Sequence, residues 1–205
     1  MSSIVLSPGA TGAAAFTIEA PSTATSRVIT LPDATDTLVG KATTDTLTNK
    51  SIVATQLTGT VAAARMPAGS VLQVVQGSTT TMGTSTNNST WVSTSLSASI
   101  TPISSASKIL VLGQHGSVRV TSGAANGVSI RILRNSTSIA QPASELLYNT
   151  VGIDVIAPFQ YLDSPATTSS TTYSTEFKLL ASSSSTAQIN ANAAPAYITL
   201  MEIAA

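Results

Sequence analysis

Cysteine is absent from the 205 residues, which excludes a disulfide framework and a thiolate metal site. Charge is scarce as well. Only 9% of residues are charged, and nine basic residues balance nine acidic ones. No basic patch stands out as an electrostatic footprint for nucleic acid or an anionic membrane. No apolar run approaches the roughly 20 residues needed to cross a bilayer as a helix. The first six residues, from Met1 to Leu6, have neither a basic leader region nor an apolar stretch of signal-peptide length, so the expectation is synthesis in a cytoplasm without secretion. Histidine occurs once, as His115. Aromatic side chains are missing from the first third except for Phe16. Trp91, Tyr148, Phe159, Tyr161, Tyr173, Phe177 and Tyr197 all lie after residue 70.

That last asymmetry locates the core, because large side chains bury the most apolar area. It belongs to residues 70–205. Residues 1–69 instead hold short β-prone pieces at 15–19, 27–33 and 37–40, separated by Gly, Pro and Asp. None has the bulk to fold alone, and isolated strands or hairpins are marginal in water. Such a ribbon needs copies of itself or another protein, so oligomerisation is expected. In the Thr-rich run 41–59, Leu47, Ile52 and Leu57 recur at intervals of five, which fits neither an amphipathic helix nor a simple strand. Extended segments with a turn are expected there. Residues 60–66 can form a helical turn or two before Pro67 ends it, and 67–69 is the expected domain boundary.

After the boundary, β-branched runs alternate with Ser, Thr, Gly, Asn and Pro clusters, the spacing of an antiparallel β-sandwich or barrel. Strands are predicted near 71–76, 90–96, 99–101, 108–114, 117–121, 128–134, 146–157, 159–162, 173–180, 187–190 and 197–203, of which eight to ten should be real. In 173–179, Tyr173, Thr175, Phe177 and Leu179 alternate with Ser174, Glu176 and Lys178, so one face is wet. Residues 109–112 are continuously apolar, as in a central strand covered on both sides or facing a subunit interface. Leu110→Ala is therefore expected to cost about 2–5 kcal/mol. The polar tracts 77–89 and 181–185 read as exposed tips.

Chemistry is hard to find. His115 has no clustered partners for a metal site and reads as a structural residue at a turn between Gly113 and Gly116. Glu145, Asp154, Glu176 and Glu202 are isolated in sequence and would meet only through the fold. Asp154, placed on a predicted strand, is expected to pair with Arg119, Arg131 or Arg134. Gly9 to Gly12 is too short for a phosphate loop. The expectation is no catalytic residue, no metal, no cofactor and no enzymatic activity. Trp91, Tyr148 and Tyr161 are the candidate receptor contacts, since exposed aromatic faces stack on sugars, with core packing as the alternative.

Residues 26–39 resemble the R-x-I-T-L-P-D-A-T-x-T-L segment that recurs in phage fibre and other virion proteins, especially of marine and cyanobacterial phages. Residues 46–52 are similar to their T-L-T-N-K-T-I element. Segments 66–76, 97–102, 107–111, 161–168 and 198–203 resemble a C-terminal domain of the same proteins. The resemblance implies an all-β homotrimer, with an extended β-ribbon shaft over 1–69 that attaches to other virion proteins through residues 1–65. It also implies a C-terminal antiparallel β-sandwich knob, jelly-roll-like, over 70–205. The expected role is a structural virion fibre on the tail or baseplate, made in the host cytoplasm, whose knob contacts a host glycan or outer-membrane component. A capsid decoration or head fibre is the alternative, and a polysaccharide depolymerase a more distant one.

Overall fold

The computed structural model describes residues 51–53, 55, 59, 61–121, 126–147, 152–181 and 184–205. The chain divides into two compact units, Met1–Leu57 and Thr58–Ala205. The strands expected at 15–19, 27–33 and 37–40 and residues 1–50 of the shaft expected over 1–69 lie outside the described residues, as does Tyr148.

Among the described residues the second unit is all-β and antiparallel, with no α-helix. A 3-10 turn, Ala63–Arg65, precedes Pro67. Ten strands follow: β1 Val71–Thr79, β2 Gly83–Ser85, β3 Val92–Ile100, β4 Lys108–Thr121, β5 Val128–Arg134, β6 Thr137–Leu146, β7 Val155–Asp163, β8 Thr171–Leu179, β9 Thr186–Ile189 and β10 Ala196–Ile203. One sheet runs β1-β10-β4-β9-β2, with β7 added along β4, and the other runs β3-β8-β5-β6. Eight of the strands pair in nested fashion: β1 with β10, β3 with β8, β4 with β7, and β5 with β6. The outermost strands in sequence pair first and the innermost last, as in one long hairpin rolled up on itself.

Alternation decides what the sheets bury. In β8, Tyr173, Thr175, Phe177 and Leu179 are buried while the residues between them are half-buried, as the period-two pattern predicted. The inward side chains of both sheets meet in two clusters. Leu96, Ile109, Val111, Tyr173, Ile198 and Leu200 belong to the first, and Val118, Val128, Ile130, Phe177, Leu179 and Ile189 to the second. Close approach of the sheets requires Gly77. A Cβ there would lie 2.0 Å from the backbone oxygen of Ser97 on β3.

Several expectations are corrected. The segments read at 108–114 and 117–121 form one strand that runs straight through His115 and Gly116, so His115 sits mid-strand instead of at a turn. The segments at 90–96 and 99–101 are likewise one strand, broken by a bulge between Ser93 and Ser97 where Ser95 takes φ 62°. The strand read at 146–157 begins only at Val155, and Asp154 precedes it. It continues through Pro158, because among the described residues β7 pairs only with β4 and an edge position needs no donated N–H there. β6, another edge strand, carries Pro142 in a run with little apolar bulk and was not anticipated. The tract 77–89 is more than an exposed tip: β1 reaches Thr79, β2 pairs with β9, and Ser85 is buried. The tract 181–185, described at 181, 184 and 185, likewise buries Ser185. Leu110 points outward and is only half-buried, while Ile109 and Val111 face the core. The core loss expected of Leu110→Ala therefore belongs to its neighbours.

Candidate functional site

Four features of the second unit bear on function: a polar waist in the core, a charged outer face, an uncharged outer face, and a groove where the chain enters.

The waist lies between the two apolar clusters. On β4, His115 falls between Val111 of one cluster and Val118 of the other, and on β8 Thr175 falls between Tyr173 and Phe177. Both are fully buried. His115 Nδ1 lies 3.0 Å from Asn190 Oδ1, and its Nε2 lies 3.1 Å from Thr175 Oγ1. The Asn190 amide nitrogen donates to the carbonyls of Thr81 and Thr94. Its oxygen is therefore the acceptor, and Nδ1 of His115 carries the proton. Thr175 then donates to the bare Nε2, and the Thr94 hydroxyl, 2.6 Å from Thr175 Oγ1 and 3.1 Å from the Thr175 carbonyl oxygen, has an acceptor for its own proton in either. Each polar atom is satisfied with the imidazole neutral. An imidazolium would reverse the hydroxyl chain, and no carboxylate is among its partners. Burial pulls the His115 pKa down from 6.5 to about 4, against the smaller opposing effect of the Asn190 hydrogen bond.

Stability should follow. Above pH 6.5 the ring is neutral in both the folded and unfolded chain. As pH falls from 6.5 toward 4, the unfolded chain takes up a proton that the folded chain refuses, so folding weakens by roughly 3 kcal/mol over that window. Urea titrations at pH 7, 5.5 and 4.5 should show this slope, and His115→Gln should flatten it. A His115→Gln variant with the wild-type slope would mean that another group titrates. Glu202 enters lower. Burial would raise its pKa, but hydrogen bonds from Gln73 Nε2 and the backbone N–H groups of Ile103 and Ser104 outweigh burial and hold it below the usual value. Its contribution is present above about 4.5 and lost only below that.

Glu202 thus anchors the loop after β3 instead of acting in a paired-carboxylate site. Asp163 is equally structural: it accepts two hydrogen bonds from Arg134 and one, of 2.7 Å, from the Tyr173 hydroxyl. Burial first, and then the Asp163 contact, push the Tyr173 phenol above its usual range. Asp154 pairs loosely with Arg119 at 3.8 Å, one of the three partners expected from sequence. Among the described residues no three His, Asp or Glu side chains gather as metal ligands.

The outer face of β3-β8-β5-β6 is charged. Arg131 pairs with Glu176, and both Arg131 and Lys178 lie over the Trp91 ring, at 4.4 and 4.9 Å from its centroid. Trp91 is half-buried under these cations. Tyr161 packs inward against the first cluster. The structure therefore does not bring the candidate contacts Trp91 and Tyr161 together.

The outer face of β1-β10-β4-β7 is different. Strand register places Val74, Met201, Leu110 and Leu162 in one row across four strands. Gln76, Thr199, Leu112 and Gln160 form the next row, and Ser78, Tyr197, Gln114 and Pro158 the one after. None of these twelve is charged. Sequence reasoning glimpsed this face in the unbroken apolar run 109–112, but its extent depends on a register that no local pattern gives. Beside it, a groove of about 380 Å³ opens between the 3-10 turn and the loop after β3, lined by Ala63, Met66, Leu72, Ile103 and Ala204 among others.

No family model matches the chain, and no curated protein matches it. Among solved structures it is similar to the VP2 subviral particle of infectious bursal disease virus, with a TM-score of 0.36, 17% identity, 66% of this chain covered and 38% of that one. It is also similar to the Gt strain of that virus, with a TM-score of 0.35, 19% identity and coverage of 65% and 38%. For the T13 particle of the same virus the values are 0.35, 17%, 67% and 36%. This chain spans less than two fifths of the length of each of these three.

Proposed function

We propose that this chain is a structural fibre protein of a virus particle, a homotrimer whose residues 1–65 attach to other virion proteins and whose knob over 70–205 contacts the host surface. The observation that carries the reading is the nested pairing of eight strands, β1-β10-β4-β7 facing β3-β8-β5-β6. That order is the one a jelly roll takes, an architecture used by viral capsid and lectin domains. Architecture alone assigns no activity. The virion class comes from the resemblance of residues 26–39 and 46–52 to phage fibre segments, and the knob adds a compact module with polar loops for glycan contact. In this reading the chain binds and does not catalyse.

Gold-tagged antibody against residues 70–205, imaged on intact particles, tests the placement. Gold at the tail tip or baseplate is the expected result. Gold spread over the head would replace tail adsorption with capsid decoration, and unlabelled particles would end the virion reading. Release of reducing sugar from host polysaccharide would overturn the non-catalytic part.

A further inference from the structure

We propose that the outward face of β1-β10-β4-β7 is the surface on which copies of this chain pack against one another, with Val74, Met201, Leu110 and Leu162 at its centre. The inference rests on the self-association in the proposed function and assigns it to a surface. Val74 and Leu162 are 56% and 51% exposed, so the row is open to solvent in the single chain. A sheet face that stays wet is normally the one that carries charge, as the opposite sheet does with Arg131, Glu176 and Lys178. This face carries none in the three rows above.

The absence of charge also selects the occupant. Within the three rows an identical copy brings no like charges together and leaves no ion unpaired, whereas a charged partner would be desolvated without compensation, and Lys108 at the end of β4 stays at the rim. The glutamines that border the row strengthen the argument, because an amide offers both donors and acceptors and can bond to its own copy. Four strands spaced by about 4.8 Å, with some seven residues each, give a face of roughly 450 Å². That is about half of the roughly 800 Å² each partner contributes to a stable interface. The next row, Val71 and Ile203, ends on β4 at the exposed Lys108, and apolar surface continues from Val71 to Val61, Met66 and Ile103 beside the entry groove.

The cysteine-free chain makes the test clean. Full-length Leu110→Cys, Leu162→Cys and, as a control on the charged face, Ser174→Cys are oxidised and their products separated under denaturing conditions. Chains with cysteine at 110 or 162 should link to one another, and those with cysteine at 174 should stay single. Around a threefold axis one disulfide joins two of three chains, so linkage should level off at about two thirds. Leu110→Asp, checked by circular dichroism for retained fold, should raise the dissociation constant of the assembly at least tenfold by sedimentation. If the wild type is an oligomer but Leu110→Cys and Leu162→Cys do not link and Leu110→Asp assembles normally, the face is wrongly assigned and self-association stands. A wild type that sediments as a monomer at high concentration overturns both.

Discussion

Phe177→Ala should lower the stability of the knob by about 3–5 kcal/mol, as loss of a buried ring usually does. Phe177 has no exposed surface and lies in the second apolar cluster, where side chains of β4, β5, β8 and β9 converge between the sheets. The space it fills is shaped partly by an absence. A Cβ on Gly83 of β2 would come within 2.9 Å of the Phe177 ring, so the glycine lets this short strand lie over the aromatic edge. Removing the ring leaves a cavity that β2, only three residues long, has little means to close. For a unit of this size the loss corresponds to a fall in Tm of roughly 10–15 °C. Thermal unfolding at fixed protein concentration checks this, since self-association would otherwise shift the midpoint. A wild-type Tm would place the ring outside the space between the sheets. Ile109→Ala should fall in the same class, and Leu110→Ala, facing outward, should cost a folded single chain much less.

The second large effect is electrostatic. Asp163→Ala should destabilise the knob by about 3–5 kcal/mol, because it strips a largely buried network of the carboxylate that Arg134 and Tyr173 share. The carboxylate accepts both Arg134 contacts, at 3.0 Å each, and the Tyr173 hydroxyl at 2.7 Å, with its own side chain only 7% exposed. Alanine leaves a guanidinium short of its partner and a phenol without an acceptor in the first apolar cluster. Tyr173→Phe removes one donor and leaves the Arg134 pair, so it should cost less, about 1–3 kcal/mol. The two losses should be markedly less than additive in the double variant, because the hydroxyl has nothing to lose once the carboxylate is gone. Additive losses, measured by urea unfolding, would mean that the two groups act separately.

For the described residues, the sequence alone was enough to anticipate an aromatic-rich core and the all-β class, and to orient β8 and bound β5. Those conclusions rest on quantities local to the chain: aromatic bulk, β-branched content and period-two alternation. Pairing, register and edges are not local. Val128–Arg134 is apolar enough to declare itself a strand, whereas Thr137–Leu146 becomes one only because β5 lies beside it, and Gly83–Ser85 only because β9 does. His115 between two glycines has the local look of a turn. It is held in a strand by partners on β8 and after β9, 60 and 75 residues away. Side-chain type likewise left open which of Trp91 and Tyr161 would face the core. The uncharged face is the clearest case. Val74, Leu110, Leu162 and Met201 are unremarkable where each stands in the sequence, and only hydrogen-bonded register brings them into one row. A strand's own pattern tells which residues share a side, but which strands lie next to it is decided by the long-range pairing of the whole fold.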